Sequence, residues 1–298
     1  MREGVLLVDK PAGPTSAEVV RRVKSRHRPG RIGHLGTLDP MATGVLPLCI
    51  GGATRLAPFF LAESKAYRGT IRLGIRTDTL DVTGRVLEES ALPDFAPGVL
   101  ETTAASLLGE QLQKPPMFSA VRVGGVRLHE LARAGQEVER SDRLIRIDRL
   151  ELHWEAEPGM VGFDVGCSKG TYVRTLAESI GARLGVPAAL ASLRRTRVGQ
   201  FDLGECLSLA AILETPWEEV ELLEPAAALR GVRGLAAPLP LLQRIAAGQK
   251  SALGELPVAA TEDELAKLMS PAGQLVAVLQ ATAEGWTLAR VLSREPVG

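Results

Sequence analysis

Residues 33–46 read GHLGTLDPMATGVL and place one acidic side chain, Asp39, among glycines and small residues. This run follows the most basic stretch of the chain, RRVKSRHRPGR at residues 21–31, which holds six Lys or Arg and no acid. A carboxylate beside a basic surface predicts a reactive acid that works next to a polyanion. Taken alone, however, Asp39 followed by Pro40 is also typical of a helix N-cap with proline at the first helical position.

The neighbours of the carboxylate favour a ligand site over a helix cap. Gly33, Gly36 and Gly44 would let a bulky ligand approach the backbone closely, because glycine has no Cβ. His34 adds a planar side chain that can form hydrogen bonds five residues before the carboxylate. We therefore interpret the run as a candidate site.

An ionised, desolvated aspartate needs a cationic partner, since an unpaired buried carboxylate takes up a proton instead. Arg174 is a candidate partner, in SKGTYVRTLAESIG at residues 168–181, where it flanks the apolar side of a predicted helix. The alternative is an exposed Arg174 that pairs with Glu178 one turn later and stabilises the helix by only a few tenths of a kcal/mol. The residues alone leave both readings open.

The charge of the chain is unevenly distributed. Its 298 residues have a formal net charge of zero, which superficially argues against a nucleic-acid partner. Residues 1–85, however, hold 14 basic and 7 acidic side chains, whereas residues 205–298 hold 7 and 12. Because the local field decides the binding of a polyanion, the basic amino-terminal part is a candidate surface for nucleic acid.

Several functional classes are not supported by the sequence. No apolar stretch approaches the roughly 20 residues that span a bilayer, and the amino terminus does not resemble a secretory signal, so we expect a soluble, cytoplasmic protein. There is no dinucleotide fingerprint, P-loop or HExxH motif, so we expect neither a nucleotide cofactor nor a metal. The three isolated cysteines, Cys49, Cys167 and Cys206, offer no disulfide framework.

One motif imitates a serine hydrolase. GCSKG at residues 166–170 matches G-x-S-x-G and lies between a predicted strand and a predicted helix. An α/β-hydrolase needs its histidine downstream of the serine. All four histidines of this chain lie upstream of Ser168, so we do not expect a hydrolase.

The hydrophobic pattern predicts an α+β fold. Thr15 and Glu18 are spaced as a capping box at the start of a helix that Pro29-Gly30 ends. Alternation predicts a strand at 65–73, with Tyr67 on one face and Arg68 on the other. Further strands are predicted at 5–8, 45–50, 85–87, 118–123, 143–152, 160–167 and 196–201, and helices at 99–108, 128–134 and 171–184. These elements follow no regular βαβ rhythm, which favours α+β over a doubly wound fold.

A second, smaller domain is expected at the carboxy terminus. GVRGLAAPLP at residues 231–240 is a Gly/Pro-rich connector, and hairpin-like strands follow at 274–280 and 286–292. We therefore predict a large domain at 1–230 and a small β-rich domain at 231–298.

The opening run resembles the catalytic motif of the TruB family of tRNA pseudouridine synthases, which isomerise uridine 55 in the T loop of tRNA. Four further stretches resemble other motifs of that family and occur in family order. They are VLLVDKPAGPTS (5–16), KAYRGTIRLGIRTDTLDVTG (65–84), PPMFSAVRVGGVRLHELARAG (115–135), and CSKGTYVRTLAESIG (167–181) with SLRRTRVGQF (192–201). Five ordered motifs of this length are highly specific.

The resemblance implies roles for the side chains at the matching positions. Asp39 would be the catalytic aspartate, held ionised by Arg174, and Tyr67 would stack beneath the target base. Such stacking, worth about 1–3 kcal/mol per base, can offset the few kcal/mol that base flipping costs. The other implied contacts are His34, which helps to keep the flipped nucleotide out of its loop, Tyr172 and Leu193, which line the base pocket, and Asp81, a secondary polar contact.

The same resemblance implies the fold, the chemistry and the partner. The fold would be a mixed, largely antiparallel pseudouridine synthase sheet with a small PUA-like RNA-binding domain. The reaction would break the bond from C1′ to N1 of uridine and join C1′ to C5 without a cofactor or metal. The T-arm of tRNA would be the partner, with no obligatory protein partner, and Arg22, Lys24 and Arg26 would contact its phosphates.

Two alternatives stay open. A guide-RNA-dependent synthase of the dyskerin type shares the catalytic motifs but works in a multiprotein particle, and the short chain without basic tails favours the stand-alone bacterial form. A non-catalytic tRNA-binding chaperone would keep the scaffold without turnover. The presence of Asp39, Tyr67 and Arg174 argues against the second alternative.

Overall fold

The computed structural model describes residues 2–119 and 121–292. Its strands are β1 (Gly4–Lys10), β2 (Ile32–His34), β3 (Thr43–Ile50), β4 (Lys65–Leu73), β5 (Ile75–Thr77), β6 (Val86–Glu89), β7 (Gly109–Gln113), β8 (Arg122–Val123), β9 (Val126–Arg127), β10 (Arg143–Trp154), β11 (Met160–Cys167), β12 (Ala188–Val198), β13 (Phe201–Asp202), β14 (Leu207–Ser208), β15 (Arg233–Ala236), β16 (Leu265–Met269), β17 (Leu275–Thr282) and β18 (Gly285–Val291). Its α-helices are α1 (Ser16–His27), α2 (Ala57–Leu61), α3 (Val99–Ser106), α4 (Leu128–Arg133), α5 (Val173–Leu184), α6 (Leu209–Glu214), α7 (Pro225–Ala228) and α8 (Leu239–Ala246).

A large mixed sheet organises the chain up to β14. Its strand order is β14-β1-β3-β12-β4-β11-β10-β7, with β2 paired to β3 and β13 to β12. Most neighbours are antiparallel, and the β1–β14 and β12–β3 pairs are parallel. The principal core lies between this sheet and helices α1, α3, α5 and α6. The predicted α+β class with a largely antiparallel sheet is confirmed.

Strand β4 lies in the middle of the sheet and has the predicted bounds. It alternates as predicted, with Tyr67 buried on the core face and Arg68 exposed on the other. The outward face is basic only in part, because Arg68 forms an ion pair with Asp164 at 3.1 Å and Arg72 forms one with Glu157 at 3.0 Å.

Two predicted strands differ from the structure. Of the strand predicted at 118–123, Ala120 lies outside the described residues, and among the others only β8 is a strand, which pairs with β9 in a short hairpin. The strand predicted at 196–201 begins at Ala188 and ends at Val198. Its first residues, 188–190, pair with β4 and are buried, and a strand buried on both faces shows a continuous apolar run instead of alternation.

Two helices place residues of the site. Helix α1 has the predicted capping box between Thr15 and Glu18, and it ends at Arg28, which adopts a left-handed conformation. Helix α5 packs against β12 and ends at Gly185 with φ 75°, as predicted for a glycine C-cap. Its first turn carries Arg174.

A second sheet of order β15-β16-β17-β18 contains the predicted carboxy-terminal hairpin. Strand β17 is buried on both faces. Val276 and Leu279 belong to a core with α8, whereas Leu275 and Val278 pack with residues of the large sheet such as Val45. The small sheet therefore covers part of the face of the large sheet that α1 and α5 leave open. In the described residues, no helix is long and apolar enough to cross a membrane.

Candidate active site

A cavity of about 290 Å³ gathers five of the ten predicted site residues. Its lining includes Asp39, Tyr67, Tyr172, Arg174 and Leu193, which come from the β2–β3 connection, β4, the start of α5 and β12. The fold thus brings together residues that lie far apart in the sequence. His34 does not belong to this lining.

Asp39 lies in a turn and does not cap a helix. Its carbonyl accepts a hydrogen bond from the backbone N–H of Ala42 at 3.1 Å, and β3 follows at Thr43. The helix-cap interpretation is therefore wrong. Since the side chain is not occupied by a helix N-terminus, its carboxylate is free to pair with a cation.

Two buried side chains that sequence reasoning missed hold this turn in place. Ser16 Oγ accepts a hydrogen bond from Leu38 N at 2.8 Å and lies 3.2 Å from Leu38 O. The Lys10 ammonium donates to the carbonyls of Pro40 at 3.2 Å and Ala42 at 2.7 Å. Both residues lie in the stretch VLLVDKPAGPTS, which was the available signal. Hydrogen bonds to the backbone before and after Asp39 therefore hold the turn in place.

Arg174 pairs with Asp39 in a bidentate geometry. Its Nε lies 2.9 Å from Asp39 Oδ2 and its Nη2 donates to Asp39 Oδ1 at 3.1 Å. The Arg174 side chain is 5% exposed and that of Asp39 is 34% exposed, so the carboxylate keeps one side open to the cavity. This arrangement confirms the interpretation of Arg174 as a partner for Asp39 over pairing with Glu178. Charge-assisted bidentate pairs fix orientation as well as charge.

The guanidinium of Arg174 is held by further acceptors. Nη1 donates to the carbonyl of Thr79 at 2.9 Å, and Nη2 donates to the carbonyl of Phe118 at 2.8 Å. Asp81 Oδ2 lies 4.0 Å from Nε. Arg174 thus connects three segments of the chain around Asp39.

Asp81 has neighbours that fix its orientation. Its Oδ1 accepts hydrogen bonds from Thr79 Oγ1 at 2.9 Å and from Thr83 N at 3.0 Å. Burial raises the pKa of the Asp39 carboxyl; the Arg174 guanidinium opposes this rise and the Asp81 carboxylate reinforces it. Asp39 therefore lies in a field in which two cations, Arg174 and Lys10, lower its pKa and one anion, Asp81, raises it.

Arg195 is a second buried cation that sequence reasoning missed. It is 1% exposed and donates to the carbonyls of Val45 at 2.7 Å and Gly36 at 3.1 Å. It also forms a side-chain hydrogen bond with Tyr67, where it opposes the rise in the pKa of Tyr67 that burial causes. The double arginine in SLRRTRVGQF contained the signal, because adjacent residues of a strand face opposite sides.

Gly44 serves the fold rather than a ligand. A Cβ at this position would lie 2.2 Å from the carbonyl oxygen of Arg195, and its φ is +103°. The close approach is made by β12, which pairs with β3 at this point. Our interpretation of Gly44 as a residue that admits a ligand is therefore wrong.

Tyr172 and Leu193 complete the cavity wall. Tyr172 is the N-cap of α5, and its backbone is fixed by Gln113, whose Oε1 accepts from Tyr172 N at 2.8 Å and whose Nε2 donates to Tyr172 O at 3.1 Å. Leu193 is buried on β12. The edge strand β7, which ends with Gln113, thereby positions a residue of the cavity.

His34 lies on β2, paired to Leu48 of β3. Its Nδ1 is buried and has no hydrogen-bond partner within the described part of the chain. Burial lowers the pKa of this imidazole, and the nearby Arg195 guanidinium lowers it further. His34 therefore offers a neutral ring, not a cation.

The basic side chains of α1 are exposed. Arg22 and Lys24 point to solvent, whereas Arg26 Nε donates to the carbonyl of Leu213 at 2.9 Å. Within residues 2–119 and 121–292, no cluster of His, Cys, Asp and Glu is arranged to hold a metal ion.

Comparisons with known proteins agree with this geometry. Residues 21–173 match the TruB family pseudouridylate synthase (N terminal domain), and residues 174–232 match the tRNA pseudouridylate synthase B C-terminal domain. The tRNA pseudouridine synthase B of Opitutus terrae is 47% identical over 219 residues, which cover 74% of this chain and 90% of that protein. The protein of the same name from Heliobacterium modesticaldum is 48% identical over 219 residues, covering 73% of this chain and 72% of that protein.

A solved structure is also similar. The similarity to a chain in the crystal structure of a Cbf5-Nop10-Gar1 complex has a TM-score of 0.75 at 26% identity and covers 97% of this chain and 85% of that chain. The shared sheet architecture, the length of the family match and the identity to the bacterial relatives lead to one conclusion. The chain belongs to the TruB family of pseudouridylate synthases.

Proposed function

We propose that this protein isomerises uridine 55 in the T loop of tRNA to pseudouridine, with Asp39 as the catalytic carboxylate. The observation that carries this proposal is the bidentate pair of Asp39 and Arg174 in one cavity with Tyr67 and Leu193. The names of the relatives support tRNA as the substrate. The reaction is an isomerisation that needs no second substrate.

The size of the cavity supports base flipping. A volume of about 290 Å³ lies at the lower end of the range for small-ligand sites, so it suits one nucleotide and not a stacked helix. The uridine would enter with its base stacked on Tyr67, and Leu193 would pack against it. Stacking of about 1–3 kcal/mol offsets the cost of leaving the loop.

The role of the Asp39–Arg174 pair follows from the chemistry. The bond from C1′ to N1 breaks, the base turns in the cavity, C1′ bonds to C5, and the proton at C5 is lost while N1 gains one. Asp39 could attack the sugar, add to the base or remove a sugar proton. Each route needs the ionised carboxylate, and the Arg174 guanidinium favours that form.

The remaining residues would bind RNA. His34 would help to hold the flipped nucleotide out of its loop as a neutral ring. Exposed Arg22 and Lys24 would contact phosphates of the T-arm, and Arg26 would contribute less because Leu213 already accepts its Nε–H. We also propose a cytoplasmic, stand-alone enzyme without an obligatory protein partner.

The domain division is part of the same proposal. We propose a catalytic domain at 1–230 and a PUA-like RNA-binding domain at 231–298. The family matches end at residue 232, and the second sheet begins at Arg233, which supports this division. Residues 231–298 hold six basic and six acidic side chains, so this domain has no net positive charge that would attract phosphates.

The deciding experiment replaces Asp39 by Asn. We expect turnover on an unmodified T-arm hairpin to fall by more than about 10³-fold, while RNA affinity stays near that of the wild type, because the substitution removes the charge but keeps the shape. Pseudouridine-specific labelling measures turnover, and filter binding measures affinity. Asp94→Asn, at an exposed position, is the matched control.

Three outcomes would contradict the proposal. Near-normal turnover by Asp39→Asn would remove Asp39 from the reaction. A wild-type protein that binds unmodified tRNA and forms no pseudouridine would be a binding protein, and one that works only with an added guide RNA would be of the dyskerin type.

A further inference from the structure

The cavity around Asp39 carries more positive charge than the proposed chemistry uses. Its lining holds four cationic side chains, Lys65, Lys169, Arg174 and Arg195, and one carboxylate, Asp39. Asp39 neutralises Arg174. Across residues 2–119 and 121–292, no carboxylate forms an ion pair with the other three cations. The cavity is therefore suited to an anionic ligand group.

Lys65 is the buried member of this group. Lys65 is 8% exposed, and its side chain lies on the core face at the start of β4. Its ammonium donates hydrogen bonds to the carbonyls of Leu61, at 3.3 Å, and Glu63. An ammonium has three donors, so one is left for a ligand in the cavity. Burial lowers the pKa of this ammonium to about 8, and the Arg195 guanidinium adds to the effect. A bound anion would relieve both costs.

The position of Lys65 relative to Tyr67 indicates which anion fits. The two residues are two positions apart on one face of β4, a separation of about 6.6 Å along the strand. A base stacked on Tyr67 would leave its own sugar and phosphate within reach of Lys65. Lys169 is exposed, in the segment between β11 and α5, so it marks the open side of the cavity where an RNA backbone would pass.

We propose that Lys65 and Lys169 form a phosphate-binding subsite that holds the backbone phosphate next to the flipped uridine. This inference rests on the proposed function and adds a second role for the cavity, the binding of the RNA backbone. Asp39 and Arg174 act on the nucleoside, and the two lysines hold the strand from which it is flipped. Lysine acts here as a point charge, as it commonly does toward phosphate.

The test combines protein and RNA substitutions. Lys65→Met and Lys169→Met are each placed in the Asp39→Asn background, so that binding is measured without turnover. The ligands are a T-arm hairpin and two versions in which a methylphosphonate replaces the phosphate on the 5′ or the 3′ side of the target uridine. We expect each lysine substitution to weaken binding of the natural hairpin by about tenfold and to flatten the salt slope.

The decisive result is the coupling between the two changes. With the methylphosphonate at the contacted phosphate, the lysine substitutions should lose their effect, since the charge they bind is already gone. A methylphosphonate in the stem should leave their effect intact. Lys114→Met, at an exposed lysine outside the cavity lining, is the protein control and should bind like its parent.

Three results would overturn the subsite. The first is unchanged affinity in both lysine variants, and the second is a tenfold loss that persists with both methylphosphonate hairpins. The third is that, in protein that keeps Asp39, the lysine substitutions lower kcat without weakening RNA binding. The second result would assign the lysines to oxygens of the base. Should Lys65→Met unfold in a thermal scan, Lys169→Met decides, because that residue is exposed. Turnover by wild-type protein is scored separately, so failure of the subsite leaves the proposed function standing.

Discussion

The carboxylate of Asp39 lies between a guanidinium that favours its ionised form and a second carboxylate that opposes it. Burial keeps the pKa of this proposed catalytic carboxyl above its ordinary value, and the bidentate pair with Arg174 fixes its orientation. Because the proposed reaction needs the ionised form, activity should fall as the pH drops through this raised pKa. Asp81 should then act on the pH profile through the charge of its carboxylate.

Replacing Asp81 by Asn tests this reading. Loss of its negative charge removes an influence that raises the pKa of Asp39, so the acid limb of the kcat/KM profile should move to lower pH. Single-turnover rates across a series of acidic buffers measure the midpoint. Asp78→Asn, in the same loop, is the control because Asp78 accepts from Arg85 N and does not contribute to the Asp39 field. A midpoint that stays or rises contradicts the reading.

Arg195 should act on turnover through Tyr67. Arg195→Lys cannot reproduce a planar fork that reaches Val45, Gly36 and Tyr67 together, so we expect kcat to fall by about tenfold with a smaller change in RNA affinity. Tyr67→Phe removes the same hydrogen bond and keeps the ring. The two substitutions should therefore be less than additive in kcat, measured in a double-mutant cycle.

The neighbouring arginine provides the control. Arg194 lies on the opposite side of β12 and pairs with Asp9 at 2.7 Å, so Arg194→Lys should show no coupling to Tyr67→Phe. Full additivity of the Arg195 and Tyr67 substitutions would mean that their hydrogen bond has no part in turnover.

Single residues differ in how readily the sequence reveals them. Asp39, Arg174 and Tyr67 lie in motifs that resemble a known family, so their meeting in one cavity could be expected. Lys10 and Arg195 also lie in such motifs, but their partners could not be predicted, because both donate to backbone carbonyls. A backbone acceptor leaves no charged partner for sequence reasoning to detect.

At the scale of elements, the contact of β3 with β12 is the structural basis of the site. Arg194 and Arg195 pair in parallel with Thr43 and Gly44, next to the turn that carries Asp39. The strand that supplies Leu193 and the turn that supplies Asp39 are thereby held in one register. Any separation of these two strands would widen the cavity.

Gly44→Ala should disrupt this contact. The added Cβ would meet the Arg195 carbonyl at 2.2 Å in a backbone conformation with φ +103°, so we expect the free energy of unfolding to fall by about 2 kcal/mol or more. Urea denaturation measures the loss. Gly204→Ala is the matched control, since no atom lies within 4 Å of a Cβ there, and it should be tolerated. Equal stability of the two variants would contradict the expectation.

Elements with visible alternation or caps were predictable, and elements fixed by tertiary contacts were not. Strand β4 and the start of α1 agree with the sequence because each has a local signal. The start of β12 is hidden by burial on both faces, and in the described part of 118–123 only Arg122 and Val123 pair with another strand. Packing decided both cases.

On the scale of the whole molecule, net charge conceals a basic amino-terminal part. Arg22 and Lys24 are exposed on α1, whose first residue, Ser16, bonds to the turn of Asp39. A polyanion that reaches the cavity can therefore also reach this helix. The expected contribution is affinity with salt dependence and little sequence preference.

Arg22→Gln combined with Lys24→Gln should weaken hairpin binding and reduce the slope of log K against log salt by roughly one unit per lost phosphate contact. The slope is measured by filter binding over a salt series. Arg76→Gln is the control, because Arg76 already pairs with Glu88 at 2.9 Å. An unchanged slope would show that these side chains belong only to a solvated face.

The organisation of the chain was predictable in outline. The predicted hairpin is β17–β18 of the second sheet, whereas the stretch predicted as a connector, 231–240, contains strand β15 and the start of α8. The packing of this sheet on the large sheet could not be predicted, because Leu275 and Val278 look like ordinary core positions of a small domain.

The double burial of β17 has a consequence for how such chains can evolve. A small domain whose sheet buried only one face, within its own core, could be exchanged between genes independently. Here a recombination at residue 230 would remove the contacts between the two sheets in which Val45 and Val278 take part, and it would expose apolar surface on both parts. The two parts of this chain should therefore be inherited together, and substitutions on one side of the contact between the two sheets should be accompanied by substitutions on the other. This should hold even where residues 231–298 contribute little to catalysis.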